Sequence, residues 1–286
     1  MANIKLIKRR IKSAQNISQI TRAMEMVAAS KMKKAQLTAL NSKPYAREIA
    51  QAIKELSQKI DRQKYPLLRL GNPQGSKLII LISSNKGLCG GLNANLFRYL
   101  YHWLANEEKS EFISIGKKGE YFLVKWHKRL IADFSEEPFI KSVPALAKII
   151  VAGFIGGTYR EVWLVYNNFI NALKHEPLRK KILPIAYLEE VQVEAEKETG
   201  FREFLLEPSA PEVLESLLPH YLENQIRAAI FESEASEHSA RMIAMKNATD
   251  AAFDLITDLT LEYNKIRQEK ITYEIADIVT ARLAVE

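Results

Sequence analysis

The chain has 286 residues, of which 47% are hydrophobic and 26% are charged, and its formal net charge is +7. It contains no run of about 18 or more uncharged apolar residues, so no transmembrane helix is expected. Its single cysteine, Cys89, excludes an internal disulfide and a cysteine-based metal cluster, and its five histidines lack ligand-like spacing.

The excess of basic residues allows a nucleic acid, an anionic membrane surface or an acidic protein as a partner, and does not choose among them. The first twenty residues contain no continuous apolar core or small-residue cleavage site. We therefore expect no secretory signal there.

Helix-breaking residues are confined to the middle of the chain. All 11 glycines and 10 prolines lie between Pro44 and Pro219. Glycine and proline cost roughly 1 and 3 kcal/mol inside a helix, so long stretches without them indicate long helices. We predict helices over 1–60 and 212–286, longer than most globular helices and typical of a coiled coil.

Both helical stretches show an irregular heptad pattern, with seam residues separated by steps of three and four. The C-terminal seam comprises Met245, Thr249, Ala252, Ile256, Leu259, Tyr263 and Ile266, and a phase shift leads to Ile271, Ile275 and Ile278. The N-terminal seam comprises Ile4, Ile7, Ile11 and Ala14, and resumes in another phase with Ile17, Ile20, Met24 and Val27. Such shifts change local supercoiling, so a twisted helix pair is expected.

The two ends also differ in charge. Residues 1–43 carry ten Lys/Arg and one acid, Glu25, whereas residues 220–286 carry twelve Asp/Glu and seven Lys/Arg. Either run alone is explained by a solvated helix face. The paired asymmetry favours an antiparallel coiled coil between the two ends.

The middle of the chain, 77–206, has an α/β pattern. Apolar runs near 77–82, 111–116, 129–134 and 160–170 alternate with helical stretches near 92–105, 117–127 and 145–156. This alternation predicts a small, Rossmann-like parallel sheet with helices. Residues 180–190 predict a further strand, which is a candidate hairpin partner of 161–170, and 60–76 and 207–211 are interpreted as linkers.

The stretch "SSNKGLCGG" (83–91) resembles a phosphate-binding loop, because it follows the first strand and precedes a helix. A P-loop places its lysine and hydroxyl after the last glycine, but Lys86 precedes Gly87, and Leu92 follows Gly91. Glu111, at the distance of a ribose-binding acid, is weak support for a dinucleotide site. Gly87, Gly90 and Gly91 are instead interpreted as allowing a tight turn or close packing.

No residue pattern nominates a catalytic, cofactor-binding or metal site. Ser83 and Ser84 have no evident His/Asp partners, and Cys89 is interpreted as a small packing residue. The four acids Asp250, Asp254, Asp258 and Glu262 recur every four residues, which on a helix makes an acidic stripe. Such a stripe is typical of a solvated face or a partner surface.

Three stretches together resemble one family. They are "ITRAMEMVAASKMKKAQ" (20–36), "SSNKGLCGGLNANL" (83–96), and "SEHSARMIAMKNATDAA" (236–252) with "YNKIRQEKITYEIADIV" (263–279). In order, spacing and total length they are similar to the gamma subunit of F-type ATP synthases over essentially the whole chain. The family's architecture is a long antiparallel helix pair with an α/β domain.

The resemblance implies a rotor shaft without catalytic activity or cofactor. In the family, the shaft turns within three alpha and three beta subunits, and its globular part sits with epsilon on the c-ring. Ion flow through the ring is thereby coupled to ATP synthesis or hydrolysis on beta. The implied location is the cytoplasmic face of a bacterial inner membrane, since no transit peptide is evident, with membrane association only through the complex.

The resemblance also implies contacts with beta. Arg267, Gln268, Thr272 and Glu274 match the positions of polar contacts to a catch loop, and Met24 matches a position facing an acidic loop. Two lysines near Met24, Lys31 and Lys33, are candidates to track that loop, or are simply solvated. The last stretch, 275–286, is either a slippery bearing segment or a frayed amphipathic tail.

Departures from the family pattern affect fine energetics rather than the implied role. Glu269 and Lys270 replace a small or neutral pair, and Asn85 stands where an acid is frequent. The two-cysteine regulatory insert of chloroplast members is absent, so thiol control is not expected.

Two alternatives belong to other functional classes. A nucleic-acid-binding arm is suggested by five N-terminal cations, Lys5, Lys8, Arg9, Arg10 and Lys12, but residues 1–44 contain no aromatic residue to stack on bases. A nucleotide-binding enzyme would require ligand binding at 83–93.

Overall fold

The computed structural model describes residues 2–59, 64–105, 109–136, 138–185, 207 and 209–283. Its elements in chain order are α1 (Ala2–Lys59), β1 (Ser76–Ile82), α2 (Leu92–Trp103), β2 (Ser110–Ile115), α3 (Lys117–Lys125), β3 (Arg129–Asp133), α4 (Val143–Ile155), β4 (Tyr159–Phe169), β5 (His175–Leu183) and α5 (Ala210–Leu283). Short 3₁₀ helices lie at Pro66–Leu68 and Phe139–Ser142.

The chain divides into two compact units. The first unit combines Met1–Ala29 with Arg241–Glu286, and the second unit is Ser30–Ala240. Helices α1 and α5 contribute to both units, so the domain limits drawn from the sequence, 1–60, 77–206 and 212–286, stay predictions.

The start of α5 is set by its own first turn. Ser209 Oγ accepts a hydrogen bond from the backbone N–H of Glu212 (3.5 Å) and donates to Glu212 Oε1 (3.1 Å). This is the residue pair of a capping box, and Pro211 fits beside it because the first N–H groups of a helix have no helical partner. Helix α5 therefore begins inside the predicted linker 207–211.

In the first unit, α1 and α5 form a two-helix seam. The buried residues of α1 include Ile7, Ala14 and Thr21, spaced one heptad apart. Those of α5 are the predicted Met245, Thr249, Ala252 and Leu259. The hydroxyls of Thr21 and Thr249 lie 2.7 Å apart across the seam. The C-terminal seam through Ile266 and the first N-terminal seam are confirmed.

The second N-terminal seam is wrong. Ile17 and Ile20 are 53% and 59% exposed, and Val27 is exposed as well. The first heptad phase instead continues through Ser18, Thr21 and Ala28, which are buried. Small and hydroxyl-bearing residues therefore form the buried seam in this part of α1. A prediction from hydrophobicity alone selects the exposed face of the helix instead.

The predicted seam after Ile266 is also wrong, because Ile271, Ile275 and Ile278 are exposed. Helix α1 runs antiparallel to α5 through Thr21 and Thr249. This register leaves the last turns of α5 with no residue of α1 opposite them.

In the second unit, five strands form one sheet in the order β3-β2-β1-β4-β5. Strands β1 to β4 pair in parallel, and β5 pairs antiparallel with β4. The parallel βαβ arrangement and the terminal hairpin are confirmed. Residues 186–190, the end of the predicted last strand, lie outside the described residues.

Both faces of the sheet are covered. Leu78, Ile80 and Ile82 of β1 pack in a cluster with α4 and with segments of α1 and α5. The alternate residues Ile79 and Leu81 pack against α2 and α3. A strand buried on both faces is apolar throughout, as β1 is, because it belongs to a covered parallel sheet. The predicted fold class, a long antiparallel helix pair with a Rossmann-like α/β domain, is confirmed.

Candidate partner-binding surface

The four C-terminal candidates lie on one exposed stretch of α5. Arg267, Gln268, Thr272 and Glu274 are all exposed. Thr272 Oγ1 donates to the backbone oxygen of Gln268 (3.0 Å), and Glu274 Oε1 lies 3.1 Å from Lys270 Nζ. Among the residues that the structure describes, the side chains of Arg267 and Gln268 make no hydrogen bond or ion pair. These two groups are the ones available to a partner.

Met24 belongs to a different patch of the first unit. It is half-buried and lies one turn after Thr21, the residue opposite Thr249. At 1.5 Å per residue, Thr249 and Arg267 are about 27 Å apart along α5. The candidates therefore form two patches, near the middle and near the end of the helix pair.

An exposed apolar stripe extends the Met24 patch. Ile17, Ile20, Met24 and Val27 share one face of α1 because they are separated by three, four and three residues. Apart from half-buried Met24, these side chains are exposed. Clustered exposed apolar residues mark interaction sites more often than scattered ones do. The heptad of small residues through Ala14, Thr21 and Ala28 is the sequence signal that distinguishes the seam from this stripe.

The charged candidates are at the surface. Lys31 and Lys33 in the second unit are exposed, and so are the five N-terminal cations from Lys5 to Lys12. The acidic stripe from Asp250 to Glu262 is exposed as well. Exposure fits both a solvated face and a partner surface, so these residues carry no assignment by themselves.

The serines after β1 are used to hold the loop. Ser83 Oγ donates to the backbone oxygen of Gly116 (3.1 Å) and accepts from the N–H of Gly119 (2.7 Å). Ser84 Oγ accepts from Asn93 Nδ2 (2.7 Å). The two hydroxyls thus tie the loop to the first turns of α2 and α3.

Cys89 packs as the sequence predicts. Its side chain is buried and forms a small apolar cluster with Leu92 and with Ala240 of α5. Asn93 Nδ2 lies 3.4 Å from its sulfur. The loop after β1 is therefore attached to α5 inside the second unit.

The glycines of this loop act through a turn rather than through close packing. Gly90 has φ +57°, which a residue with a side chain rarely adopts, whereas a Cβ at Gly87 would meet nothing within 4 Å. The close approach occurs at Gly116, which has φ +103° and where a Cβ would lie 2.2 Å from the Ser83 oxygen. Of the two interpretations of these glycines, the tight turn is confirmed at Gly90, and the close backbone approach lies at Gly116 instead.

The carboxyl edge of the sheet holds a cleft of mixed charge, lined by Lys117, Glu120 and Asp133 among others. Asn85 spans it, accepting from the N–H of Lys117 (2.9 Å) and donating to the oxygen of Ser135 (2.8 Å). The first turn of α3 thus uses its N–H groups on the loop after β1. In the described part of the chain, no three His, Cys, Asp or Glu residues are grouped to hold a metal ion.

Comparison with known proteins covers nearly the whole chain. The family model described as ATP synthase matches residues 3–285. The ATP synthase gamma chain of Roseiflexus sp. (strain RS-1) is 39% identical over 292 residues, covering 99% of both chains. The gamma chain of Akkermansia muciniphila is 38% identical and covers 100% of both. This chain belongs to the ATP synthase gamma chain family.

Solved structures agree with this family assignment at the level of the fold. The rotor of the Euglena gracilis mitochondrial ATP synthase superimposes with a TM-score of 0.67, 19% identity, and coverage of 94% of this chain and 99% of that chain. The central stalk and c-ring structure from Tetrahymena thermophila gives a TM-score of 0.59 at 25% identity, covering 80% and 99%.

None of the helices within the described ranges combines the length and the apolar character needed to cross a membrane.

Proposed function

We propose that this chain is the central shaft of an F-type ATP synthase. It turns within three alpha and three beta subunits, stands with epsilon on the c-ring, and couples ion flow to ATP synthesis or hydrolysis on beta. It catalyses no reaction itself. The observation that carries this proposal is the match of residues 3–285 to the family.

The two patches of the first unit supply the coupling contacts. A shaft can shift a beta subunit between conformations only through contacts that differ in free energy between those conformations. Arg267 and Gln268, exposed near the end of α5, would engage a polar catch on beta in some orientations. Met24 and its apolar stripe would meet another part of beta.

The proposed cellular location of this subunit depends on the complex that it joins. The subunit would sit peripherally at the cytoplasmic face of a bacterial inner membrane, held there by the complex. It would bind no nucleic acid, and its N-terminal cations would face protein or solvent.

Co-purification tests the proposal. A tagged chain is expected to bring down alpha, beta and epsilon in a 3:3:1:1 assembly that hydrolyses ATP and rotates an attached bead. Recovery of the chain without alpha and beta, or with salt-sensitive nucleic acid instead, would contradict it.

A pair of matched variants sharpens the test. Ile20→Glu places a charge on the apolar stripe and is expected to weaken assembly with alpha and beta. Leu173→Glu places the same charge on the β4–β5 turn, where Leu173 is 82% exposed, and should leave that assembly intact. Equal recovery of both variants would remove the stripe from the proposed interface.

A further inference from the structure

One turn of α5 is held by the β4–β5 hairpin through two serines. Ser236 and Ser239 have no exposed surface. Ser236 Oγ shares its proton between the backbone oxygen of Asn167 at the end of β4 (3.0 Å) and that of Glu232 in its own helix (2.8 Å). Ser239 Oγ donates to the backbone oxygen of Ala172 in the turn. Because the serines are three residues apart, both hydroxyls leave the helix on the same side.

The same part of α5 is also contacted by the loop after β1. Ala240 packs with Cys89 and Leu92 in an apolar cluster. The backbone oxygens of the hairpin and the apolar side chains of the loop thus hold adjacent turns of α5 within the second unit.

Further polar links join the hairpin to α5 nearer its start. Lys180 Nζ donates to Gln225 Oε1 (2.6 Å). Burial lowers the pKa of Lys180, and the charge of Glu232 partly opposes this effect. Burial and a hydrogen bond with Glu232 raise the pKa of Tyr166. These contacts place Gln225 and Glu232 against the same two strands as the serines.

Hydrogen bonds and apolar contacts restrain a helix in different ways. Apolar burial is non-directional, so it determines which face of a helix is buried more sharply than the exact rotation of that face. A hydrogen bond weakens steeply when its angle changes, so a buried bond from a short side chain fixes the helix rotation. Serine has a single χ angle, which leaves little freedom to follow a rotating helix.

We propose that Ser236 and Ser239 are positioning residues that lock α5 against rotation about its own axis relative to the β4–β5 hairpin. In a shaft, this lock makes the helix and the sheet turn as one body. The lock is a property of the second unit, and its use in transmitting torque rests on the proposed function.

Spin labels in the full chain test the lock directly. Nitroxide labels are placed at Leu173 in the turn and at Glu215 on α5, both exposed, with Cys89→Ala in every sample. In Ser236→Ala/Ser239→Ala, the label–label distance distribution is expected to broaden roughly twofold, since the buried hydrogen bonds from both serines to the hairpin are lost. A distribution as narrow as that of the parent overturns the proposal.

Ser216→Ala is the matched control. Ser216 is an exposed serine of the same helix, and among the described residues its hydroxyl bonds only to the oxygen of Val213 in α5 (2.9 Å). It should leave the distribution unchanged, and equal broadening would overturn the proposal. If the double variant does not fold, the single variants Ser236→Ala and Ser239→Ala decide the question by the same criterion.

A rotation assay tests the link to torque. In the assembled complex, a bead attached at Leu173 is expected to fluctuate over a wider angle in the double variant when the motor is stalled, with ATP hydrolysis unchanged. An unchanged angular width in an assembled, active variant refutes the torque role. Failure of the parent chain to assemble refutes the proposed function instead, and the spin-label result still decides whether the lock exists.

Discussion

Thr21 of α1 and Thr249 of α5 join their side-chain oxygens across a buried seam at 2.7 Å. The hydroxyls also have partners in their own helices: Thr21 Oγ1 contacts the backbone oxygen of Ser18 (3.1 Å), and Thr249 Oγ1 contacts that of Met245 (2.9 Å). Only one alignment of the helices brings the two hydroxyls within bonding distance of each other, so this pair favours the observed register.

Removing both hydroxyls should cost less than the sum of the costs of removing each one alone. Thr21→Val removes the bond across the seam but leaves Thr249 Oγ1 bonded to the Met245 oxygen, so we expect a loss of about 0.5–1.5 kcal/mol in the free energy of unfolding. Adding Thr249→Val should cost less than the sum of the two single changes, because the pair is then apolar. Urea unfolding of the full chain, followed by helical circular dichroism, measures all three variants.

Thr257→Val is the control for that cycle. Thr257 is exposed on α5 and bonds to the oxygen of Phe253 in its own helix (3.0 Å). We expect a change within about 0.5 kcal/mol, as for most surface substitutions. Additive effects of the two seam substitutions would show that the hydroxyls do not interact.

Two glycines near the sheet should respond differently to substitution by alanine. Gly116→Ala forces a Cβ against the Ser83 oxygen at a positive φ, and we expect a destabilisation of about 2–4 kcal/mol. Gly87→Ala meets open space and should change stability by less than about 1 kcal/mol. Thermal denaturation measures the stability of both variants. Equal losses of stability would show that the backbone conformation and close contact at Gly116 do not require a glycine.

The α/β middle of the fold could be predicted from the sequence because its signals are local. Strand β1 is a continuous apolar run ended by two serines, and breakers separate each later strand from its helix. The helix pair could be predicted as well, since neither Gly nor Pro interrupts the ends. Pro44 and Pro219 lie inside α1 and α5, which shows that a helix held by tertiary packing tolerates a lone proline.

The buried face of α1 after Ala14 could not be predicted as well, because the seam does not follow hydrophobicity there. Ser18 and Thr21 are buried by close helix approach, whereas Ile17 and Ile20 are left outside. The role of Ser236 and Ser239 could not be predicted from the sequence either. Their partners are backbone oxygens of a hairpin almost 70 residues away, and backbone atoms leave no residue pattern.

Acid should weaken the fold through His175. Burial lowers the pKa of this imidazole below its usual 6.5, and its Nδ1 is buried without a hydrogen-bond partner in the described residues. Below pH 6.5 the unfolded chain therefore binds a proton that the folded chain resists, so stability falls as pH drops. The contribution of His175 is present above that pH.

His175→Gln removes this titration. We expect the variant to lose less stability than the parent between pH 7 and pH 5, measured as the denaturation midpoint in urea at each pH. The same slope in both proteins would show that other groups cause the acid sensitivity.

If the chain has the proposed function, Met24→Lys should lower the coupling between ATP hydrolysis and proton pumping more than it lowers the rate of hydrolysis. The new cation would bind the proposed acidic loop of beta too strongly in one orientation of the shaft. Rotation would then stall at that orientation, and less of the free energy of ATP hydrolysis would drive proton pumping. We expect proton pumping per ATP hydrolysed to fall in membranes carrying the variant. Met24→Leu keeps an apolar side chain and should retain the parent ratio, and an unchanged ratio in Met24→Lys would contradict the assignment.

Arg267→Ala combined with Gln268→Leu should lower ATP hydrolysis by a reconstituted alpha–beta–gamma complex. Both side chains are exposed on α5 and make no hydrogen bond or ion pair within the described residues, so their donors are available for the proposed contact with beta. Loss of about 1 kcal/mol of contact energy in the limiting step corresponds to a roughly fivefold lower rate.

Lys265→Ala is the matched control for this pair, since Lys265 is an exposed cation two residues before Arg267 on the same helix. It removes a charge without touching the two proposed contacts, and its rate should stay near that of the parent. Unchanged turnover of the double variant in a normally assembled complex would exclude a coupling role for Arg267 and Gln268. Equal losses in both variants would point to the overall charge of α5, because a specific catch would distinguish these neighbouring positions.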